Sequence, residues 1–275
     1  MRTIVHLSDL HFGRVDAALL EPLRRTILDV KPHLVVVSGD LTQRARAGQF
    51  RAARAWLDTL PKPQLVVPGN HDVPLYNVFK RFVSPLRNYR RYIDENTDPH
   101  FADDEIAVSG INTARSLTFK GGRINDEQVE RVLAQICKVP DEVTKIIVTH
   151  HPFDVPAHEK ENQIVGRARM AIRKLAECGA DLFLSGHLHA SHTARTAERY
   201  KIAGYSALVV QAGTATSTRG RGESNSFNVI LIDHPRVSVE RHAWSPERGT
   251  FSLSRTETFE HTPKGWTTSG HVLDA

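Results

Sequence analysis

The chain has 275 residues, 40% apolar and 24% charged, with a formal charge of +5 at neutral pH. That length buries one large core and lies near the upper size of a single domain, and the composition is that of an ordinary globular protein rather than a disordered one. No apolar run reaches the length of a bilayer span.

The first strand is expected at residues 3–7, almost at the N-terminus, so no secretory signal is expected. Directly after it stands Asp9-Leu10-His11. Residues 17–30 carry Ala18, Leu19, Leu23, Ile27 and Leu28 at helical period. A second apolar run, 34–37, ends at Gly39-Asp40. The helix expected over 48–60 places Phe50, Ala53, Trp56, Leu57 and Leu60 on one side, and Pro61-Lys62-Pro63 stops it. A third run, 65–67, ends at Gly69-Asn70-His71-Asp72. This βαβαβ order predicts parallel strands with right-handed crossovers.

Residues 72–100 loosen into helical pieces rich in Arg and in the aromatics Tyr76, Phe79, Phe82, Tyr89 and Tyr92, read as an excursion over the sheet edge. A strand is expected at 106–111. Asn125-Asp126-Glu127-Gln128 has the form of a capping box opening a helix that runs to Cys137. The runs 146–149 and 182–184 are strands ending at His150-His151 and Gly186-His187-Leu188-His189. A helix over 165–177 between them is expected to close at Gly179. The last third reads as successive strands at 208–211, 227–233, 236–244 and 251–259, whose tight connections require antiparallel pairing. Two sheets packed face to face with helices outside are the expected result. Residues 1–235 form the core. Residues 236–275 are a β extension and polar tail packed on it, not a separate domain, with 261–275 poorly ordered.

The arginines are scattered on helix faces among apolar residues, without the aromatic interleaving that stacks bases, so nucleic acid is not the expected partner. The positive excess suits a small anionic substrate. Cys137 and Cys178 are the only cysteines. They are read as free thiols in a reducing compartment, which makes the protein cytoplasmic.

Strand ends followed by helices converge on one edge of an α/β sheet, so the five clusters are expected to meet there. A lone Asp-x-His is commonly a surface turn, and a lone Gly-Asp more so. Five such clusters, all at strand ends, point instead to a site for two divalent metals. Asp9 and His11 leave the strand able to grip one ion, His187 and His189 repeat that spacing, and one Asp40 carboxylate has the two oxygens to bridge a pair. Two ions about 3.5–4 Å apart clamp a phosphoryl group and lower the pKa of a water between them.

Taken together, Asp9-x-His11, Gly39-Asp40, Gly69-Asn70-His71-Asp72, His150 and Gly186-His187-x-His189 resemble the motif set of the calcineurin-like metallophosphoesterases. Ser8-Asp9-Leu10-His11, with His151-Pro152, looks most like the bacterial class III cyclic nucleotide phosphodiesterases. The resemblance implies an α/β fold, a four-layer α/β/β/α sandwich with two mixed β-sheets. It assigns Asp9, His11, Asp40 and His189 to one metal, and Asp40, Asn70, His150 and His187 to a second, with Mn, Fe, Zn or a mixture as the ions. It makes His71 the group that meets phosphate and protonates the leaving alkoxide, with Asp72 fixing its tautomer. His151 and His192 flank ligands and are candidates to line the pocket.

Arg115 and the loop 213–225, with Arg219 and Arg221, are candidate substrate contacts. The excursion and that loop are expected to choose the substrate. The implied reaction is in-line attack by a metal-held hydroxide on a phosphodiester, a 3′,5′-cyclic nucleotide first. A 2′,3′-cyclic nucleotide, a glycerophosphodiester or a nucleotide-linked lipid precursor is the alternative. A nuclease ranks lower, since the extra DNA-capping domain such enzymes of this superfamily tend to carry is not expected here, and a non-catalytic scaffold ranks lower because every expected ligand is present. A homodimer through the C-terminal strands is one arrangement open to the chain.

Overall fold

Uncharged runs of Val, Ile and Leu are buried on both faces here, which is why they read as continuous rather than alternating apolar segments. The computed structural model describes residues 1–75, 78–117, 121–157, 159–218, 222–263, 265–270 and 273–274. In chain order, β1 (Arg2–Leu7), α1 (Ala17–Val30), β2 (Leu34–Ser38), α2 (Ala47–Leu57) and β3 (Gln64–Val67) form a parallel βαβαβ unit. The excursion contributes α3 (Val78–Val83) and α4 (Arg87–Tyr92). A second sheet follows, with β4 (His100–Ala102), β5 (Ile106–Ile111), α5 (Asp126–Ile136), β6 (Thr144–Thr149), α6 (Ala168–Glu177) and β7 (Leu182–Ser185). It is completed by β8 (His192–Arg195), α7 (Thr196–Tyr200) and β9 (Leu208–Gln211). The chain then returns to the first sheet through β10 (Ser226–Asp233), β11 (Arg236–Ser245), β12 (Thr250–Thr262), β13 (Gly265–Thr268) and β14 (Leu273–Asp274).

The strand orders are β13-β12-β11-β10-β1-β2-β3, with β14 on β12, and β4-β5-β6-β7-β9-β8. Because neighbouring side chains of a strand face opposite ways, each sheet fills two cores. Val5, Leu7, Val35 and Val37 pack under α1 and α2 with Leu23, Ile27, Phe50 and Leu57. Ile4, Val36 and Val67 meet Val108, Val148 and Leu184 between the sheets. Ile147, Phe183 and Val209 pack under α5 and α6 with Val132, Ile172 and Leu175. The layers are therefore helix, sheet, sheet, helix, with both sheets mixed. Asn125 closes the expected capping box: its Oδ1 accepts from Gln128 N at 2.8 Å, and Gln128 Oε1 accepts from Asn125 N at 3.1 Å. Among the described residues, no helix is long and apolar enough to cross a membrane.

Several expectations are corrected. The run 208–211 does not join the late antiparallel strands. It lies parallel to β7 and antiparallel to β8, because the connection that follows it, 212–225, crosses from one sheet to the other rather than turning tightly. The early parallel strands and the late antiparallel ones share one sheet, joined where β10 pairs with β1.

The tail is not loose over 265–268. β13 pairs with β12, and Trp266 is buried with its indole N–H donating to Asp181 Oδ1 at 2.9 Å. Nor are the cysteines free. Helices α5 and α6 pack side by side and end together, bringing Cys137 and Cys178 to 4.7 Å between Cα atoms, joined as a disulfide. The cysteine-based case for a reducing compartment falls with that bond.

Candidate metal centre

Parallel pairing puts the carboxyl ends of β1, β2 and β3 side by side, with Leu7 opposite Val37 and Ser38 opposite Val67. β6 and β7 are likewise parallel, so all five motif loops leave from like strand ends. The loops are strapped together by backbone bonds: Asp9 N to Gly39 O, His11 N to Asp40 O, Phe12 N to Leu41 O. To turn so sharply, Asp9, His11, Asp40, His187 and His189 all adopt left-handed backbone, with φ from 49° to 74°. A non-glycine residue there is strained by on the order of 1 kcal/mol or more, and such strain gathers at functional sites. Two motif glycines have a packing reason. A Cβ on Gly69 would run into the Asp40 backbone nitrogen and carboxylate, and one on Gly186 into Ser8 Oγ.

The turns bring the ligand side chains into one buried cluster. On one side, Asp9 Oδ1 lies 3.4 Å from His11 Nε2 and 3.5 Å from His189 Nε2, with Asp40 Oδ2 3.7 Å from His11 Nε2. On the other side, Asp40 Oδ1 lies 3.4 Å from His150 Nε2. Asn70 Oδ1 is 3.1 Å from both His150 Nε2 and His187 Nδ1. Asp40 thus turns one oxygen to each half. Two of the resulting groups, Asp9-His11-His189 and Asp9-Asp40-His150, each place their ligand atoms within 4.8 Å of one another.

The outward nitrogens of the rings are held from behind. Ser38 O accepts from His150 Nδ1 at 2.8 Å, and Gln163 Oε1 from His187 Nε2 at 3.0 Å. Those bonds leave His150 Nε2 and His187 Nδ1 as the nitrogens facing the cluster, as outer partners do for metal-bound imidazoles. His189 Nδ1 sits 2.5 Å from Thr214 Oγ1. Asp9 Oδ2 is fixed by Ser8 Oγ at 2.7 Å and by His187 N at 2.9 Å.

By contrast Asp9 Oδ1 and both nitrogens of His11 are buried without a hydrogen-bond partner among the described residues. Buried polar atoms are rarely left so, and a cation between them would satisfy them. Carboxylate, amide oxygen and imidazole together suit Mn, Fe or Zn. The residues fit a pair of such ions.

Charge is concentrated accordingly. Burial would raise Asp40, but the adjoining His150 holds it well below the usual carboxylate range, and His189 and His11 do the same for Asp9. His150 is disfavoured as a cation by burial, yet Asp40 pushes it up to about 9. Burial and the charge of His150 push His187 down to about 3.

His71 stands on a single 3-10 turn, Asn70–Asp72, half-buried at the rim. Its backbone N–H donates to Asp40 Oδ1 at 2.8 Å, and its ring lies edge-on to His11 at 4.9 Å. The partner expected for its ring was Asp72; the structure gives a different one. Gln43 O accepts from His71 Nδ1 at 3.0 Å. Asp72 instead accepts from the backbone N–H groups of Leu41, Thr42 and Gly69 and from Thr42 Oγ1, tying the β2 and β3 loops together. Buried beside Asp40, it is pushed up to about 6 despite those donors.

His151 is buried with its ring 4.6 Å from that of His187 and Nδ1 2.8 Å from Thr113 Oγ1. It shares a potential ligand group with His150 and His187, a role the sequence did not suggest.

Arg115 is not brought onto the cluster by any described contact. Its guanidinium donates to Arg123 O and Gln128 Oε1, at the start of α5. His192 opens the edge strand β8 beside a cleft containing Asp154 and Arg199. Arg219 and Arg221 lie outside the described residues, as does Tyr76 of the excursion. The sequence reading missed Gln43 and Gln163, and it took Thr214 only as part of the substrate-contact loop 213–225, not as a partner of His189. Each is a lone polar residue in a connecting segment, with no periodicity or spacing to mark it.

The model of the calcineurin-like phosphoesterase family matches residues 2–191. A probable glycerophosphodiester phosphodiesterase, GpdQ, from Arcobacter nitrofigilis is 24% identical over 291 residues, spanning 98% of this chain and 99% of its own length. The glycerophosphodiester phosphodiesterase GpdQ of Enterobacter lignolyticus is 29% identical over 164 residues, which is 54% of this chain and 57% of that protein. Among solved structures, a dimetal phosphatase from Danio rerio aligns with a TM-score of 0.65 at 14% identity, covering 92% of this chain and 98% of its own. A purple acid phosphatase from yellow lupin gives 0.69 at 13% identity over 94% of this chain and 53% of its own, a likeness of fold. Matched over more than half its length, the chain belongs to the calcineurin-like phosphoesterases.

Proposed function

We propose that this metal-dependent phosphoesterase hydrolyses a small anionic phosphodiester, with a glycerophosphodiester as the leading substrate class. The observation that carries the reading is the buried cluster itself, with Asp9 Oδ1 and His11 Nε2 3.4 Å apart and without hydrogen-bond partners among the described residues. In this reading Asp9, His11, Asp40 and His189 hold one ion, and Asp40, Asn70, His150 and His187 hold the other. Bound there, the two ions would polarise a phosphoryl oxygen and lower the pKa of a water for attack on phosphorus.

The chain supplies the rest. Asp40 is oriented by the His71 backbone N–H, so the carboxylate that would serve both ions and the candidate acid are set by one turn. With its Nδ1–H donating to Gln43 O, His71 would offer Nε2–H to a substrate oxygen, where the protonated ring donates to phosphate and then passes its Nε2 proton to the departing alkoxide. Asp72 is a positioning residue for the two loops rather than a partner of the ring.

The glycerophosphodiester is placed ahead of the cyclic nucleotide because the Arcobacter relative aligns over nearly the whole of both chains. The cyclic nucleotide is kept as a second reading on Ser8-Asp9-Leu10-His11 and His151-Pro152. The deciding experiment is a panel of glycerophosphodiesters, 3′,5′-cAMP, 2′,3′-cAMP and single-stranded DNA offered to the Mn²⁺-loaded protein. The highest kcat/KM is expected on a glycerophosphodiester. A preference for 3′,5′-cAMP restores the second reading, and a preference for DNA of about ten-fold or more, roughly 1.4 kcal/mol in the transition state, overturns both.

A further inference from the structure

Helix α3 is inside out. Among its described side chains the buried one is Arg81, 3% exposed, whereas Phe79, Phe82 and Val83 are 76%, 54% and 63% exposed. Those three positions are spaced as one helix face, and Arg81 lies on the opposite one. What holds the helix down is the guanidinium: it donates to Ser116 O at 2.6 Å, Pro74 O at 2.9 Å and Arg115 O at 3.3 Å. Leu117, 83% exposed, follows Ser116 and so stands beside the helix. Three of the seven exposed large apolar side chains among the described residues therefore lie on one face of this helix, and Leu117 adjoins the segment that Arg81 holds. A patch of that kind marks an interaction surface.

The charge around it is one-sided. Residues 73–93 include Lys80, Arg81, Arg87, Arg90 and Arg91 and no acidic residue. Arg87, Arg90 and Arg91 are exposed on α4, which is anchored by the Tyr89 hydroxyl donating to Val66 O at 2.8 Å. Arg87 and Arg91 line a cleft of about 400 Å³ with Phe79 and Val83, and its floor reaches Asp72, the residue after His71.

We propose that the outer face of α3, with Leu117 and the arginines of α4, docks this protein on an anionic phospholipid bilayer. Exposed Phe, Val and Leu enter the interfacial layer while flanking guanidinium groups pair with lipid phosphates, the combination that holds amphipathic segments at membrane surfaces. Aliphatic Val83 and Leu117 have no ring to stack on a base, which favours lipid over single-stranded nucleic acid. A second copy meeting this face about a two-fold axis would bring Arg87, Arg90 and Arg91 toward their own equivalents. The surface is separate from the candidate metal ligands, so its test needs neither metal nor substrate.

The experiment is co-flotation of the full chain with phosphatidylcholine vesicles, with and without phosphatidylglycerol. Binding is expected only where phosphatidylglycerol is present, and it should weaken as salt shortens the Debye length. Arg87→Ala and Arg91→Ala should each reduce affinity roughly five-fold. The double variant Phe79→Ser/Phe82→Ser should abolish binding while melting at the parent temperature. Should that variant not fold, the arginine variants and the lipid dependence carry the test. Failure to bind either vesicle, or equal binding by the arginine variants, overturns the proposal. So does capture by single-stranded DNA in place of vesicles, or a dimer that Phe79→Ser/Phe82→Ser dissolves without any vesicle binding.

Discussion

Buried carboxylates stand at both ends of the parallel strands, and the two ends treat them differently. At the amino end, Asp181 precedes β7 and is satisfied on each oxygen, by Lys145 N at 2.8 Å and by the Trp266 indole at 2.9 Å. At the carboxyl end, Asp9 Oδ1 has histidine nitrogens on two sides and no donor. The backbone differs as well: five residues of the carboxyl-end cluster are in left-handed conformation, whereas Asp181 is not among the positive-φ residues. A closed hydrogen-bond set stabilises the fold, and an open, strained one is kept for a ligand.

The hardest blow to that contrast would come from Asn70→Ala. It should lower Mn²⁺-stimulated hydrolysis of bis(p-nitrophenyl) phosphate on the order of 10³-fold, with an unchanged circular dichroism spectrum. An active variant would sink the metal assignment. At the other end, Trp266→Ala should destabilise by about 3–5 kcal/mol in urea titration, through the lost core side chain and the orphaned Asp181. Mn²⁺ uptake per folded chain, read by calorimetry, should stay the same. A changed stoichiometry would mean the two ends are not independent.

Gln163→Ala removes only the oxygen behind His187. It should weaken metal affinity by about 10–100-fold while leaving ion-free stability nearly intact.

His6 samples the middle of β1, bonded to Ser38 Oγ at 3.0 Å. Burial pushes it down to about 3 from 6.5, so it stays neutral when folded, and the unfolded chain binds the extra proton below about 6.5. Stability should therefore fall as pH drops through that value, by up to about 1.4 kcal/mol per unit, and His6→Asn should flatten that slope in thermal melts.

The strands and their sheet edge were legible because uncharged runs of three to five residues, each followed within two residues by Gly, Asp or His, state both burial and a turn. The capping box at Asn125 was legible for the same local reason. What escaped was non-local. Nothing in Leu208–Gln211 says which sheet it joins; that depends on the path of 212–225. Trp266 looked like part of a polar tail because its partners, Asp181 and Ser206, are distant in sequence. The Cys137–Cys178 pairing depends on two helices ending together. Around the cluster, the side chains at strand ends could be read, but Gln43 behind His71 and Gln163 behind His187 could not, since a single polar residue in a loop carries no pattern.

The positive φ angles at Asp9, His11, Asp40, His187 and His189 set these positions at odds with the rest of the chain. Glycine would relax each of them, and asparagine would be tolerated better than a branched residue. A library selected for heat resistance alone, with no demand for turnover, should drift toward glycine at these five sites. The same library selected for hydrolysis should hold its aspartates and histidines, so the divergence between the two pools would map the catalytic ring without a ligand ever being seen.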